Sequence, residues 1–340
     1  MPERIVWVDF AKGSAIILVV LGHFSEGDLQ KFIFVFHMPF FFVMAGYLLN
    51  FNKWGGVGNY KSFAKKLFKR LLLPYYLAEL LWYPIWFVIC HETEYLKYLW
   101  GWCEIDSFNA FLVIFISNGA SNDLILGQLW FLPVLFFAEI IFVKLFNYLN
   151  KLGAEVFTLS VVIAVCVGFN LKNLLFLPLG IDIALTTQIF LLAGVLIRRY
   201  NFVEKISLKT CTVLTLILVF VSCLNSFVDM HSRRYGESLM FYAGGMAGTL
   251  LVMKLSALMA GGKTSSLISD CGRQSMMILI LHPIIANVFY ETVAATTNFP
   301  PEEFFTEPII IFAATALGVL IPLFIAKRFG KLPVLKYFCA

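Results

Sequence analysis

The chain has 340 residues, 60% of them hydrophobic and only 14% charged, with a mean hydropathy of +0.84 and a formal net charge of +5. A soluble domain carries about a quarter charged residues, so water is excluded as the main solvent. The basic residues gather at the ends of apolar runs rather than on one soluble face, which argues against nucleic acid as a partner and for a lipid bilayer.

Apolar runs of about twenty residues, enough to cross a hydrocarbon core of about 30 Å as helix, recur ten times. They lie near 9–24, 32–50, 71–90, 128–149, 155–169, 180–197, 210–227, 237–256, 274–291 and 308–326. The expected fold class is an all-α membrane protein, a polytopic bundle of about ten transmembrane helices forming one domain over 1–340 with no appended soluble domain. A further apolar stretch, Phe108 to Ser117, is too short to span and reads as an interfacial or re-entrant piece. A membrane β-barrel would alternate in polarity every second residue, whereas these runs are continuously apolar. The first run contains Asp9 and Lys12 and lacks a small-residue cleavage site, so it is expected to be retained rather than removed as a signal peptide.

Orientation follows from the 26 Lys and Arg residues. Counted from a cytoplasmic N-terminus, only Lys31, Lys97, Lys172, Arg233 and Arg234 fall in outside segments, and Lys12 lies within the first run. The others fall inside, where short loops hold bases in excess, so both termini are expected in the cytoplasm. Acidic residues collect outside, at Glu92, Glu94, Glu104, Asp106, Glu302, Glu303 and Glu307. The seven cysteines show no metal-ligand spacing and no disulfide framework, and are expected to be packing residues. No metal is expected.

Ionisable groups inside a bilayer cost several kcal/mol unless paired or hydrated, so each one is a functional candidate. In chain order, Lys12 and His23 come first. They are three helical turns and about 16 Å apart on one face, a cation at the inner end and an imidazole at the outer end. The residues alone also admit Lys12 snorkelling to headgroups and His23 capping the helix. His37 opens the second run at the same depth as His23. Arg70 abuts the third run and Arg273 starts the ninth, each placed to grip a phosphate bidentately or to anchor a lipid headgroup. Glu79, Glu139 and Asp182 are carboxylates within or at the ends of runs. Glu139, near mid-bilayer, needs protonation, a hydrogen bond or a cation, and a carboxylate beside a histidine would serve a general base. His282, followed by Pro283, marks a kinked helix facing a cavity, or a structural position. Gly244 and Gly248 have the spacing of close helix packing.

The segments VDFAKGSAIILVVLGH, FHMPFFFVMAGYLL, KRLLLPYY, LWFLPVLFFAE, GIDIALTTQIFLLAGVLIRR and CGRQSMMILILHP together resemble acyltransferase family 3, and most of all its fucose 4-O-acetylase-like branch. The family's first-span signature is an Arg, ten residues and a catalytic His. Here Lys12 and His23 stand in those places, so the cation is kept but its bidentate fork is lost. The resemblance implies transfer of an acyl group, usually acetyl, from cytoplasmic acetyl-CoA to a hydroxyl of a glycan or lipid-linked sugar at the outer face. It implies a multi-pass protein of the bacterial cytoplasmic (inner) membrane. His23, His37 and Glu139 are the expected catalytic residues. Lys12, Arg70 and Arg273 are the expected coenzyme A site, and Asp182, His282 and Trp130 the expected acceptor site. His23 would act as a base or form an acyl-imidazole. The competing class is a secondary transporter or glycan flippase using the buried Glu, Asp and His as ion sites.

Overall fold

In the computed structural model, residues 5–54, 59–92, 107–116, 126–171, 177–262, 265–297, 300 and 303–339 are described. Among them the chain is helical apart from one antiparallel bridge between Asp229 and Arg234. The expected charges Arg4, Lys97, Lys172, Lys263, Glu94, Glu104, Asp106 and Glu302, and the side chain of Glu92, lie outside the described residues.

Among the described residues eight helices are long and apolar enough to cross a membrane, and a bent pair, Pro178–Thr186 and Gln188–Arg199, meeting at 53°, makes nine if it counts as one span. The seventh expected span is Leu208–Leu224, an apolar helix of 17 residues, shorter than the roughly twenty a full crossing needs. The stretch expected to be too short is the ten-residue helix Ser107–Ile116. Large apolar side chains stand exposed on the outer helix faces, Ile309 at 81% and Phe312 at 75%. Exposure on that scale in water would drive aggregation, and here it marks the lipid-facing surface. The protein is an all-α polytopic membrane protein.

Local chemistry explains where the helices depart from the expected bounds. The third span starts at Tyr60, not near residue 71. Phe63, Leu67 and Leu71, four residues apart, give its basic first half a buried stripe and so hold it helical. Just before Pro74, the segment Phe68–Leu72 widens into a π-turn. A proline has no N–H for the carbonyl four residues earlier, and the wide turn accommodates that loss. The bent pair breaks at Thr186-Thr187-Gln188. There the threonine hydroxyls donate to the Ile183 and Ala184 carbonyls at 2.8 and 2.9 Å. Gln188 Nε2 donates to the Ala184 carbonyl at 2.7 Å. Side chains that bond the preceding turn bend helices.

The helices form two compact units. The first comprises Met1–Phe41, Asn201–Asp229 and Arg234–Ala340. In it the helix Val6–His23 runs against Ser265–Arg273 so closely that a Cβ at Gly13 would strike the Ile268 carbonyl, and one at Gly272 the Asp9 carbonyl. Gly244 is pressed against Val35 and Val221, and Gly248 against the Phe36 ring, the close packing their spacing predicts. The second unit comprises Phe42–Tyr200 and Met230–Arg233. Its tightest approach is reciprocal, with Gly46 against the Leu191 carbonyl and Gly194 against the Val43 carbonyl. Also in this unit, Ser107–Ile116 is pinned to the third span at both ends. Tyr75 Oη donates to the Ile114 carbonyl at 2.8 Å and Tyr83 Oη to the Ser107 carbonyl at 2.9 Å. Cys90 is disulfide-bonded, which corrects its expected role as a packing thiol.

Candidate functional site

The first unit gathers three histidines. The helix Val6–His23 delivers His23 in its last turn. His37 opens the helix His37–Leu48, where Pro39 in the first turn tolerates the missing donor. His282 comes from within Ser275–Thr297, a helix that continues through Pro283. His23 Nδ1 and His282 Nε2 lie 2.9 Å apart, with the rings stacked at 5.1 Å between centroids. His37 meets His23 edge-on at 6.4 Å. Its Nδ1 is 3.1 Å from the Ile33 carbonyl, and His282 Nδ1 is 2.9 Å from the Ile278 carbonyl. Phe34 and Phe24 pack beside the rings, at 6.0 Å from His23 and 5.8 Å from His282 respectively.

Burial ranks the three. His282 is 0% and His37 4% exposed, while His23 is partly exposed. His23 is therefore the most exposed of the three, and His282 the most deeply buried. The carboxylate whose charge acts on His23 is Asp229, a loop residue that sequence reasoning passed over because it lies outside every apolar run. The expected pairing of His23 and His37 at one depth is met by a closer partner, His282, which was expected to hold the acceptor. A fully buried ring whose two nitrogens both face protein atoms has no edge left for a sugar.

At the other end of the first helix, in the same unit, Lys12 is partly buried. Arg273 follows Gly272, which touches the Asp9 carbonyl. Arg273 is ion-paired to Asp270, which also accepts from Lys327. One carboxylate thus neutralises part of two cations, and the trio keeps one net positive charge. Neither Asp270 nor Lys327 was singled out from the sequence, although Asp270 three residues before Arg273 has the helical spacing of an ion pair.

The second unit places the other expected site residues. Glu139, 3% exposed, binds the guanidinium of Arg70, whose side chain is half exposed. Glu139 is therefore the holder of a cation and not the orienting partner of a histidine. A buried carboxylate gains more from a charged guanidinium than from a neutral imidazole. Asp182 is held by Arg233, Nε to Oδ2 at 2.8 Å and Nη2 to Oδ1 at 2.9 Å, both side chains nearly fully buried. Both carboxylate oxygens of Asp182, the expected sugar ligand, are so engaged by Arg233. Trp130 stacks on His231 at 5.5 Å, so one face of its indole is covered. Glu79 is 0% exposed, and neither of its oxygens has a hydrogen-bond partner among the described residues. No group of three or more potential metal ligands occurs among the described residues.

A bundle of long apolar helices that seats the His23 imidazole on a buried second one defines a multi-pass membrane protein with a polar site inside it. The chain matches the family described as Acyltransferase domain over residues 5–327, nearly its whole length, and belongs to that family. It is a membrane acyltransferase, and the transporter alternative gives way to acyl transfer. No curated protein and no solved structure matches the chain.

Proposed function

We propose that this acyltransferase moves an acetyl group from cytoplasmic acetyl-CoA to a hydroxyl of a glycan or lipid-linked sugar at the outer face of a bacterial inner membrane, with His23 as general base. The observation that carries the reading is the first helix itself. It bears Lys12 near the Arg273 end of the unit and His23 at its other end, three turns or about 16 Å away. A nucleotide phosphate group held by the cations could so extend its thioester arm toward the imidazole.

The chemistry then follows from what His23 can reach. Its imidazole takes the acceptor hydroxyl proton as the oxygen attacks the thioester carbonyl. The tetrahedral species collapses with cleavage of the C–S bond, and the departing thiolate recovers the proton from the imidazolium. The disulfide at Cys90 supports the proposed orientation. It ends the helix Leu73–Glu92 on the side that the charge bias assigns to the exterior, where oxidising conditions preserve such bonds.

The test is incubation of membranes containing the protein with labelled acetyl-CoA and candidate lipid-linked glycans, followed by mass analysis. An acetylated glycan that disappears in a His23→Ala variant of normal expression is the expected result. Undiminished transfer by that variant, or labelling of Lys61 to Lys69 from outside the cell, would overturn the proposal.

A further inference from the structure

We infer that His282 is a positioning residue that locks His23 into one tautomer, leaving His23 Nε2 as the open lone pair that performs acyl transfer; this rests on the reading of His23 as the base. The inference starts at the buried end of the pair. His282 Nδ1 lies 2.9 Å from the Ile278 carbonyl on its own helix. A carbonyl only accepts, so Nδ1 must carry the hydrogen. Pro283 strengthens the constraint. It has no N–H to offer the Leu279 carbonyl four residues earlier, and that carbonyl also faces the His282 ring as a hydrogen-bond acceptor.

A neutral imidazole has a single N–H, so His282 Nε2 is bare. Opposite it at 2.9 Å stands His23 Nδ1. Two bare nitrogens at that distance would repel, and His23 Nδ1 must therefore be the donor. The one proton of neutral His23 is thus directed at His282, and Nε2 of this partly exposed residue holds the lone pair. The packing keeps this order in place. Phe24 lies against His282, and Gly318 leaves the space that both occupy, since a Cβ there would sit 3.1 Å from the Phe24 ring and 3.4 Å from His282 Cβ.

During transfer His282 gains and loses nothing. The acceptor proton goes to His23 Nε2, the new C–O bond forms as the C–S bond breaks, and the thiolate leaves with that proton. While His23 is an imidazolium, its Nδ1–H bond to His282 becomes charge-assisted. His37 does not take this place, because its ring meets His23 edge-on at 6.4 Å between centroids, whereas His282 Nε2 lies 2.9 Å from His23 Nδ1.

Two variants and one spectroscopic measurement test the inference. His282→Phe keeps ring volume and removes the acceptor, whereas His282→Gln offers a side-chain oxygen in its place. With acetyl-CoA and whichever candidate glycan the transfer assay shows to be acetylated, His282→Phe is expected to lower kcat on the order of 10²-fold or more with KM for acetyl-CoA unchanged. His282→Gln should recover about tenfold of that loss, the worth of one hydrogen bond. Histidine 15N spectra of the detergent-purified protein, assigned by single substitutions, should show His23 protonated on Nδ1 and shifted toward Nε2–H in His282→Phe. Wild-type protein with His23 protonated on Nε2 would overturn the inference. So would normal kcat in His282→Phe, or equal losses in both variants with the His23 tautomer unchanged. Should His282→Phe fail to fold, the wild-type spectrum and His282→Gln still decide. The spectra need no turnover, so they remain decisive if His23→Ala retains activity and it is the proposed reaction that fails.

Discussion

The two units bury their polar groups in opposite ways. In the second, charge meets charge: Asp182 with Arg233, both almost fully buried, and Glu139 with Arg70. In the first, two imidazoles meet, each of which can be neutral, and His282 is satisfied by a carbonyl of its own helix. A buried ion pair is costly to break and does nothing without breaking, which suits an anchor. A neutral pair has no ion pair to break before it takes up a proton, which suits a base. Damage to the first kind should therefore appear as lost stability, and damage to the second as lost turnover.

The largest expected effect is on the imidazole side. His23→Ala should reduce turnover by about 10²–10⁴-fold while thermal unfolding in detergent stays at the wild-type temperature. A large drop in melting temperature would erase the contrast between the units. Next comes Asp182→Ala, which strands the Arg233 guanidinium and should destabilise the protein by about 3–5 kcal/mol, read as early thermal unfolding and a lowered yield of folded protein. Asp182→Ala with full stability would show that Arg233 finds another partner. Gly13→Ala tests whether the first unit depends on close helix approach. Its new methyl meets the Ile268 carbonyl, and the overpacking should cost about 1–3 kcal/mol.

Glu139→Gln should cost less than Asp182→Ala, about 1–2 kcal/mol, because water can take over at the half-exposed Arg70. Its clearer reading is a changed KM for acetyl-CoA with kcat nearly preserved. A collapse of kcat would return Glu139 to the catalytic set. The smallest effect belongs to Asp270→Asn. Its partners Arg273 and Lys327 are substantially exposed, so stability should change by less than about 1 kcal/mol. Freeing both cations should instead lower KM for the anionic donor, and a raised KM would mean that Asp270 orients them.

Much of the fold can be read from local pattern. Continuous apolar runs mark the spans, and the short run near 108–117 is a short helix. Pro74 and the Thr186-Thr187-Gln188 run carry, within a few residues, the causes of the π-turn and the 53° bend. The site was legible in its members and much less so in their pairing. His23, His37, His282, Glu139, Arg70 and Asp182 all stand out as ionisable groups in apolar surroundings, for the single reason that such groups are expensive there. That same cost announces that Asp182 needs a cation, yet nothing near it in sequence says which. Asp229, Arg233 and Asp270 lie in loops or at polar helix ends, where charge is ordinary and carries no signal.

By itself, the sequence determined the solvent, the helices and the list of costly side chains, because hydropathy and the backbone effects of proline act within a turn or two. Only the tertiary structure decided that His23 meets His282, 259 residues away, that Glu139 belongs to Arg70, and that Asp182 belongs to Arg233. In lipid every helix face is nearly as apolar as its surroundings, so periodicity says little about which helices adjoin. Partnership is settled by small residues such as Gly13 and Gly272, which let particular backbones touch.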